Sequence, residues 1–206
     1  MKNISDYIME ASVPEFVNDK NGIEAFCKYV FNPNFVNWTV TNDLTIKVDN
    51  KKSSSTIGLD AGDLKKIPDF IKIVSTNRIN IFGDKLESLA LKGSTAGLYV
   101  TDLKKLNNID LSGLQLINSN DTRLHIEKNP KLIEIIGPSA DNCNIIIRIN
   151  KALKKIDMSN IKKFGKTNWI NKNRMCDIKR ADLPRGKEQD SFINLQDNGA
   201  NSITEI

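Results

Sequence analysis

Acid–base and nucleophilic catalysis need convergent ionisable groups, most often including a histidine that titrates near neutrality. The chain has 206 residues and one histidine, His125. His125 stands between Leu124 and Ile126; in a strand this alternation turns the aliphatic pair to one face and the imidazole to the other, so a surface position is expected. Cys143 occupies the matching place one repeat later, which gives the two residues the composition of a dyad, but no nucleophile-elbow motif accompanies them. The three cysteines, Cys27, Cys143 and Cys176, are odd in number, far apart and lack a Cys-x-x-Cys pair. They predict structural thiols, not a disulfide framework or a zinc knuckle. Lys92-Gly93-Ser94-Thr95-Ala96-Gly97 has glycines and hydroxyls. In a phosphate loop the lysine follows the second glycine and opens a helix, so this stretch reads as a loop between repeats. Asp60 and Asp63 lack calcium-loop spacing and read as turn acids. No catalytic residue, metal or cofactor is expected, and the chain is read as a non-enzyme.

Charge is more informative. Residues 1 to 150 carry 18 basic and 18 acidic side chains, 151 to 187 carry 12 and 3, and 188 to 206 carry none and 4. Lys162, Lys163, Lys166, Lys172, Arg174, Lys179 and Arg180 lie in the basic stretch with Phe164 and Trp169 among them. Basic side chains interleaved with aromatics suit a nucleic-acid backbone and its bases. The same charges suit an acidic protein partner, or the polar outer edge that a terminal solenoid coil must show.

The elements that must position these residues are mostly strands. Hydrophobic residues make up 39% and aromatics only 6%, so a core must be built from Ile, Leu and Val. Near the N-terminus, Ser12-Val13-Pro14-Glu15 and Asn21-Gly22-Ile23-Glu24 have helix-capping spacing and predict two short helices, broken at Phe31-Asn32-Pro33. Trp38, Val40, Leu44, Ile46 and Val48 then alternate with polar residues, predicting two strands with a turn near Asn42-Asp43.

From Ile57 a repeat begins. The pairs Ile57/Leu59, Ile79/Ile81, Leu98/Val100, Leu124/Ile126 and Ile145/Ile147 are strand-like steps. Each is followed by a second aliphatic group: Leu64 and Ile67, Leu86 and Leu89, Leu106 and Ile109, Leu132 and Ile135, Leu153 and Ile156. Start-to-start spacings of 22, 19, 26 and 21 residues suit the coils of a solenoid, which must stack because one coil cannot cover its own apolar face. An antiparallel β-sandwich with evenly spaced strands is the alternative.

Leu103-Lys104-Lys105-Leu106-Asn107-Asn108-Ile109-Asp110-Leu111 resembles the leucine-rich-repeat core, and Leu153-Lys154-Lys155-Ile156-Asp157-Met158 echoes it. The family's asparagine, three residues after the last strand leucine, is replaced by Ser94, Leu114 and Ile161, so no asparagine ladder is expected. The resemblance implies a solenoid that recognises macromolecules through the exposed residues of one sheet. The opening Met1-Lys2-Asn3-Ile4-Ser5-Asp6-Tyr7-Ile8-Met9-Glu10 is similar to the start of many small proteins of tailed bacteriophages.

The expectation is therefore a mainly β chain with short helices. A helical cap would span 1–36, a leucine-rich-repeat-like β-solenoid of about five coils 37–160, and a basic segment with a polar tail 161–206. Its partner would be a virion or host protein, contacted through Tyr99, Arg123, His125 and Arg148, which alternate away from the core, and through the basic segment. Nucleic acid bound through 151–187 is the alternative partner, and an oligomer is compatible with both. No apolar run is long enough to cross a membrane and no secretory signal opens the chain, which predicts host cytoplasm or a virion.

Overall fold

The computed structural model describes residues 13–52, 55–117, 122–187 and 191–202. One α-helix, α1 (Lys20–Val30), opens the described chain. Asp19 caps it, its carboxylate accepting from the Gly22 amide at 2.7 Å. Two helices are expected from the capping spacings, but Val13 to Val17 is not helical, and Ser12 lies outside the described residues. The reason is tertiary. Phe16 packs edge-on against Phe26 at 5.4 Å and against Tyr29 at 5.8 Å, which holds this segment across α1. Ile23, Phe26, Cys27 and Val30 form the buried stripe of the helix and cover the start of the strand stack.

The expected hairpin follows. Strands β1 (Val36–Val40) and β2 (Thr45–Asn50) are antiparallel, with Trp38 opposite Val48. All later strand pairings are parallel, which is what a coiling chain produces and a β-sandwich does not. The long sheet holds seven strands: β3 (Thr56–Asp60), β5 (Arg78–Phe82), β8 (Gly97–Thr101), β11 (Arg123–Glu127), β14 (Asn144–Arg148), β17 (Thr167–Asn171) and β19 (Phe192–Asn194). A short sheet holds β6 (Ser88–Ala90), β9 (Asn108–Asp110), β12 (Glu134–Ile136) and β15 (Lys155–Asp157). The third wall joins β1 and β2 to β4 (Lys72–Val74), β7 (Lys92–Thr95), β10 (Leu114–Leu116) and β13 (Ser139–Ala140). Two isolated bridges, Ala140 with Ile161 and Cys143 with Phe164, continue it to the pair β16 (Lys163–Phe164) and β18 (Gly186–Lys187).

Each coil passes from the long sheet to the short sheet to the third wall. Six coils start on β3, β5, β8, β11, β14 and β17, and β19 opens a seventh. Register stacks Ile57, Ile79, Leu98, Leu124 and Ile145 on one another, and Leu59, Ile81, Val100, Ile126 and Ile147 beside them. All ten are at most 1% exposed, so the repeated aliphatic pairs are the core itself. Leu86, Leu106, Leu132 and Leu153 line the same interior below them.

Three features depart from expectation. Residues 92–97 include the strand β7 and are not merely a loop. Gly93 makes this close approach feasible: its φ is +108°, and a Cβ there would stand 1.9 Å from the Ile73 carbonyl oxygen of the coil before. Strands also continue past residue 160, through β16 to β19. The periodicity weakens there because Asn168 takes an inward place in register with Ile145 and Ile193. Its Oδ1 accepts from the Ile145 amide at 2.9 Å and its Nδ2 donates to the Gly165 carbonyl at 2.7 Å, so a buried polar group substitutes for an aliphatic one.

The third departure is an asparagine ladder. Asn129, Asn150 and Asn173 are fully buried, one coil apart. Each Nδ2 donates back across the coil boundary: Asn129 to Val100 O at 3.0 Å, Asn150 to Ile126 O at 3.1 Å, Asn173 to Ile147 O at 2.9 Å. Each Oδ1 accepts from the backbone amide of the preceding rung, Leu103 to Asn129, Asn129 to Asn150, Asn150 to Asn173. Asn198 closes the series by accepting from Asn173 N and donating to Ile170 O. The ladder follows the long sheet, not the short one. Asn129, Asn150 and Asn173 stand three residues after Ile126, Ile147 and Ile170.

Candidate recognition surface

The outer face of the long sheet brings together the coil residues singled out above. Strand register sets Asn80, Tyr99, His125, Ile146, Trp169 and Asn194 in one row, each beside the next. Neighbouring strands stand about 4.8 Å apart, so the row runs along the stack as a nearly continuous ridge. Tyr99 and His125 pack ring to ring at 5.4 Å. Ile146 faces outward yet is only 6% exposed.

A second row carries Thr101, Glu127, Arg148 and Asn171. Glu127 is buried between His125 and Arg148. Its Oε2 lies 2.8 Å from His125 Nε2 and its Oε1 lies 3.0 Å from Arg148 Nε. Burial works to raise the Glu127 pKa, but the bonds and charge from His125 and Arg148 outweigh it and hold the carboxyl below its ordinary value. An ionised carboxylate only accepts, so the His125 Nε2 carries a proton toward it. Arg148 also lies over the Trp169 ring at 5.7 Å, a cation–π contact that links the two rows. Tyr99, His125, Glu127, Arg148 and Trp169 thus form one connected patch. Arg78 and Arg123 stand on either side of Gly97, where a Cβ would come within 3.2 Å of the Arg78 side chain.

His125 is half-buried, its side chain 19% exposed, where the sequence suggests a more open position. The place matching His125 one repeat later belongs to Ile146 and not to Cys143, which precedes β14 and is fully buried in the core, so the expected correspondence of the two residues does not hold. Burial pushes the thiols of Cys27, Cys143 and Cys176 up to about 12. They remain protonated at neutral pH and belong to the interior.

The basic segment does not gather on one face. Trp169 alone joins the ridge on the long sheet. Lys162 and Lys163 stand on the third wall, with Lys162 paired to Asp141 at 2.6 Å. Lys166 lies just before β17. Lys172 and Arg174 stand at the corner beyond the long sheet, with Ile149, Lys151 and Asp197 around a cavity of about 630 Å³. Lys179 and Arg180 sit at the short 3-10 turn Arg180–Asp182, where the Arg180 guanidinium donates to the carbonyls of Pro184 and Arg185. Coiling spreads a contiguous stretch of sequence around three walls.

Ile146, Glu127 and Asn80 were not singled out from sequence. Each alternates outward, but their place in the patch depends on the partner strands. Among the described residues, no helix is long and apolar enough to cross a membrane. No protein-family model matches the chain, and neither a curated protein nor a solved structure is detectably similar to it.

Proposed function

We propose that this chain is a non-enzymatic recognition module that docks a protein partner on the outer face of its long sheet. The observation that carries the reading is the ridge of Tyr99, His125, Ile146 and Trp169, tied to Arg148 and Glu127 and set on seven parallel-paired strands. All-parallel sheets are ordinarily covered on both faces. Here the inner face has its cover in the solenoid core, while the outer face presents the partly exposed rings of Tyr99, His125 and Trp169 without a covering element among the described residues.

Aromatic residues and arginine dominate the energetics of protein interfaces because they bury large areas with few rotatable bonds. The ridge supplies both, already locked by ring contacts, the Glu127–Arg148 ion pair and the Glu127–His125 hydrogen bond, so ordering on binding costs little. Arg78, Arg123 and Arg148 outnumber the uncompensated carboxylates beside them, which favours a partner with an acidic rim. A virion or host protein of a bacteriophage fits the reading of the N-terminal residues, and the asparagine ladder is compatible with the resemblance to leucine-rich repeats.

A photo-crosslinking residue placed at Thr101, on the ridge flank, tests the docking face against the same residue placed at Lys47 on the third wall. The expected result in cell extract is a discrete adduct from position 101 and none from 47. Adducts of equal yield from both positions, or from 47 alone, would move the interface elsewhere.

A further inference from the structure

The corner at which each coil leaves the long sheet has the same construction from the third coil onward. Asp102, Lys128, Ile149, Lys172 and Asp197 all adopt the left-handed conformation, with φ between 58° and 60°. The amides of the first four donate to the carbonyls of Glu127, Arg148, Asn171 and Gln196, one coil further on. The ladder residue comes next in each coil, and its bonds hold the corner in place. Equivalent positions therefore stack along the corner with the strand spacing of about 4.8 Å.

Cations gather beside this column over four successive coils. Lys128 and Lys172 belong to the left-handed column, Lys151 and Arg174 directly follow ladder asparagines, and Lys105 and Lys131 directly precede the buried Leu106 and Leu132. All six are exposed, and none has an ion-pair partner among the described residues. Two acids share the corner, Asp102 within 3.9 Å of Lys104, and Asp197. Successive coils set opposite charges together in Lys65 with Glu87, Lys155 with Glu134 and Lys162 with Asp141, and the left-handed column itself places Asp102 before Lys128 and Lys172 before Asp197. Two and three residues further on, Lys151 and Arg174, and Lys105 and Lys131, hold equivalent places on neighbouring coils. Like charges on neighbouring strands cost stability. The corner keeps them, and a cavity of about 630 Å³ opens between Lys151, Lys172 and Arg174.

We infer that this corner binds the phosphate backbone of a single-stranded nucleic acid, at a surface separate from the protein-docking ridge. A corner on which cations recur over four successive coils matches a partner whose charge also repeats along a line. A single strand carries one charge per residue and bends to follow the corner. In a duplex the phosphates wind around a stiff cylinder and leave a straight edge after a few contacts. Sequence preference is not expected, because phosphate contacts carry none.

The test uses the full chain and a fluorescein-labelled strand of about 20 thymidines, followed by anisotropy between about 25 and 200 mM KCl. With about five contacts, log K should fall against log salt with a slope of about −3.5. The combined Lys128→Gln, Lys151→Gln, Lys172→Gln and Arg174→Gln variant should reduce the slope by about 3 and weaken binding at least about 100-fold at the lowest salt. Lys47→Gln, Lys72→Gln and Lys162→Gln together, on the third wall, should leave both unchanged. Circular dichroism checks that the variants are folded; should the corner variant misfold, charge reversal at Lys128 and Lys172 alone replaces it. Absence of binding at about 25 mM salt overturns the inference, as does an unchanged slope in the corner variant. Equal competition by polyglutamate would assign the corner to an acidic protein instead, and tighter binding of a duplex would exclude a single-strand site. Trp169→Ala, which disturbs the ridge, is expected to leave the salt slope unaltered.

Discussion

At the residue scale, the two networks that define the molecule are both polar. In the ladder, Asn150 supplies the acceptor for Asn129 N and the donor for Ile126 O. Asn150→Ala leaves two buried backbone groups unpaired at about 1–3 kcal/mol each, so urea denaturation should show a loss of about 3 kcal/mol. A loss below about 1 kcal/mol would mean that the ladder is decorative. The second network centres on Glu127, whose pKa is depressed in the folded state. A carboxyl of that kind contributes stability above its unfolded pKa and loses it as pH falls through the folded value. The native protein should therefore lose more stability than Glu127→Gln between about pH 6 and about pH 3, as read from urea midpoints. Parallel pH profiles would show that the carboxylate is not held by His125 and Arg148.

At the scale of elements, the coils depend on how closely one strand can lie on the next. Gly93 has a positive φ, and an added methyl would overlap the Ile73 carbonyl. Gly93→Ala should cost more than about 3 kcal/mol or prevent folding. Gly186→Ala, whose Cβ would meet Lys162 O at 3.3 Å, should cost less than about 1 kcal/mol in the same thermal melt. The aliphatic pairs from Ile57 to Ile147 are legible in the sequence because period-two alternation and the following Leu recur together. The ladder is equally present as Ile126 to Asn129, Ile147 to Asn150 and Ile170 to Asn173. It is hidden when the family spacing is applied to the short-sheet strands, where Ser94, Leu114 and Ile161 stand. Coil six is hidden by Asn168, whose inward place becomes intelligible only once the Ile145 amide is beside it. Tyr99, Arg123, His125 and Arg148 follow from alternation alone. Their union with Trp169 and Ile146 does not, since it depends on a register across strands that are 20 or more residues apart in sequence.

At the scale of the whole molecule, one hydrophobic core runs from Ile23 in the helix to Leu195 beyond β19. Stacking brings side chains remote in sequence together on the outer surfaces as well: an aromatic ridge on the long sheet, a cluster of cations at its edge. The ridge is proposed to hold a protein partner, and the sharpest check compares affinity capture by the native chain with capture by a Tyr99→Ala, Arg148→Ala, Trp169→Ala variant of verified fold. Lys162→Gln serves as the control for charge on another wall. A protein should be retained by the native chain and by the control and reduced at least about 10-fold by the ridge variant, the loss expected when interface anchors worth about 1.4 kcal/mol or more are removed. Equal recovery by all three proteins would contradict this expectation.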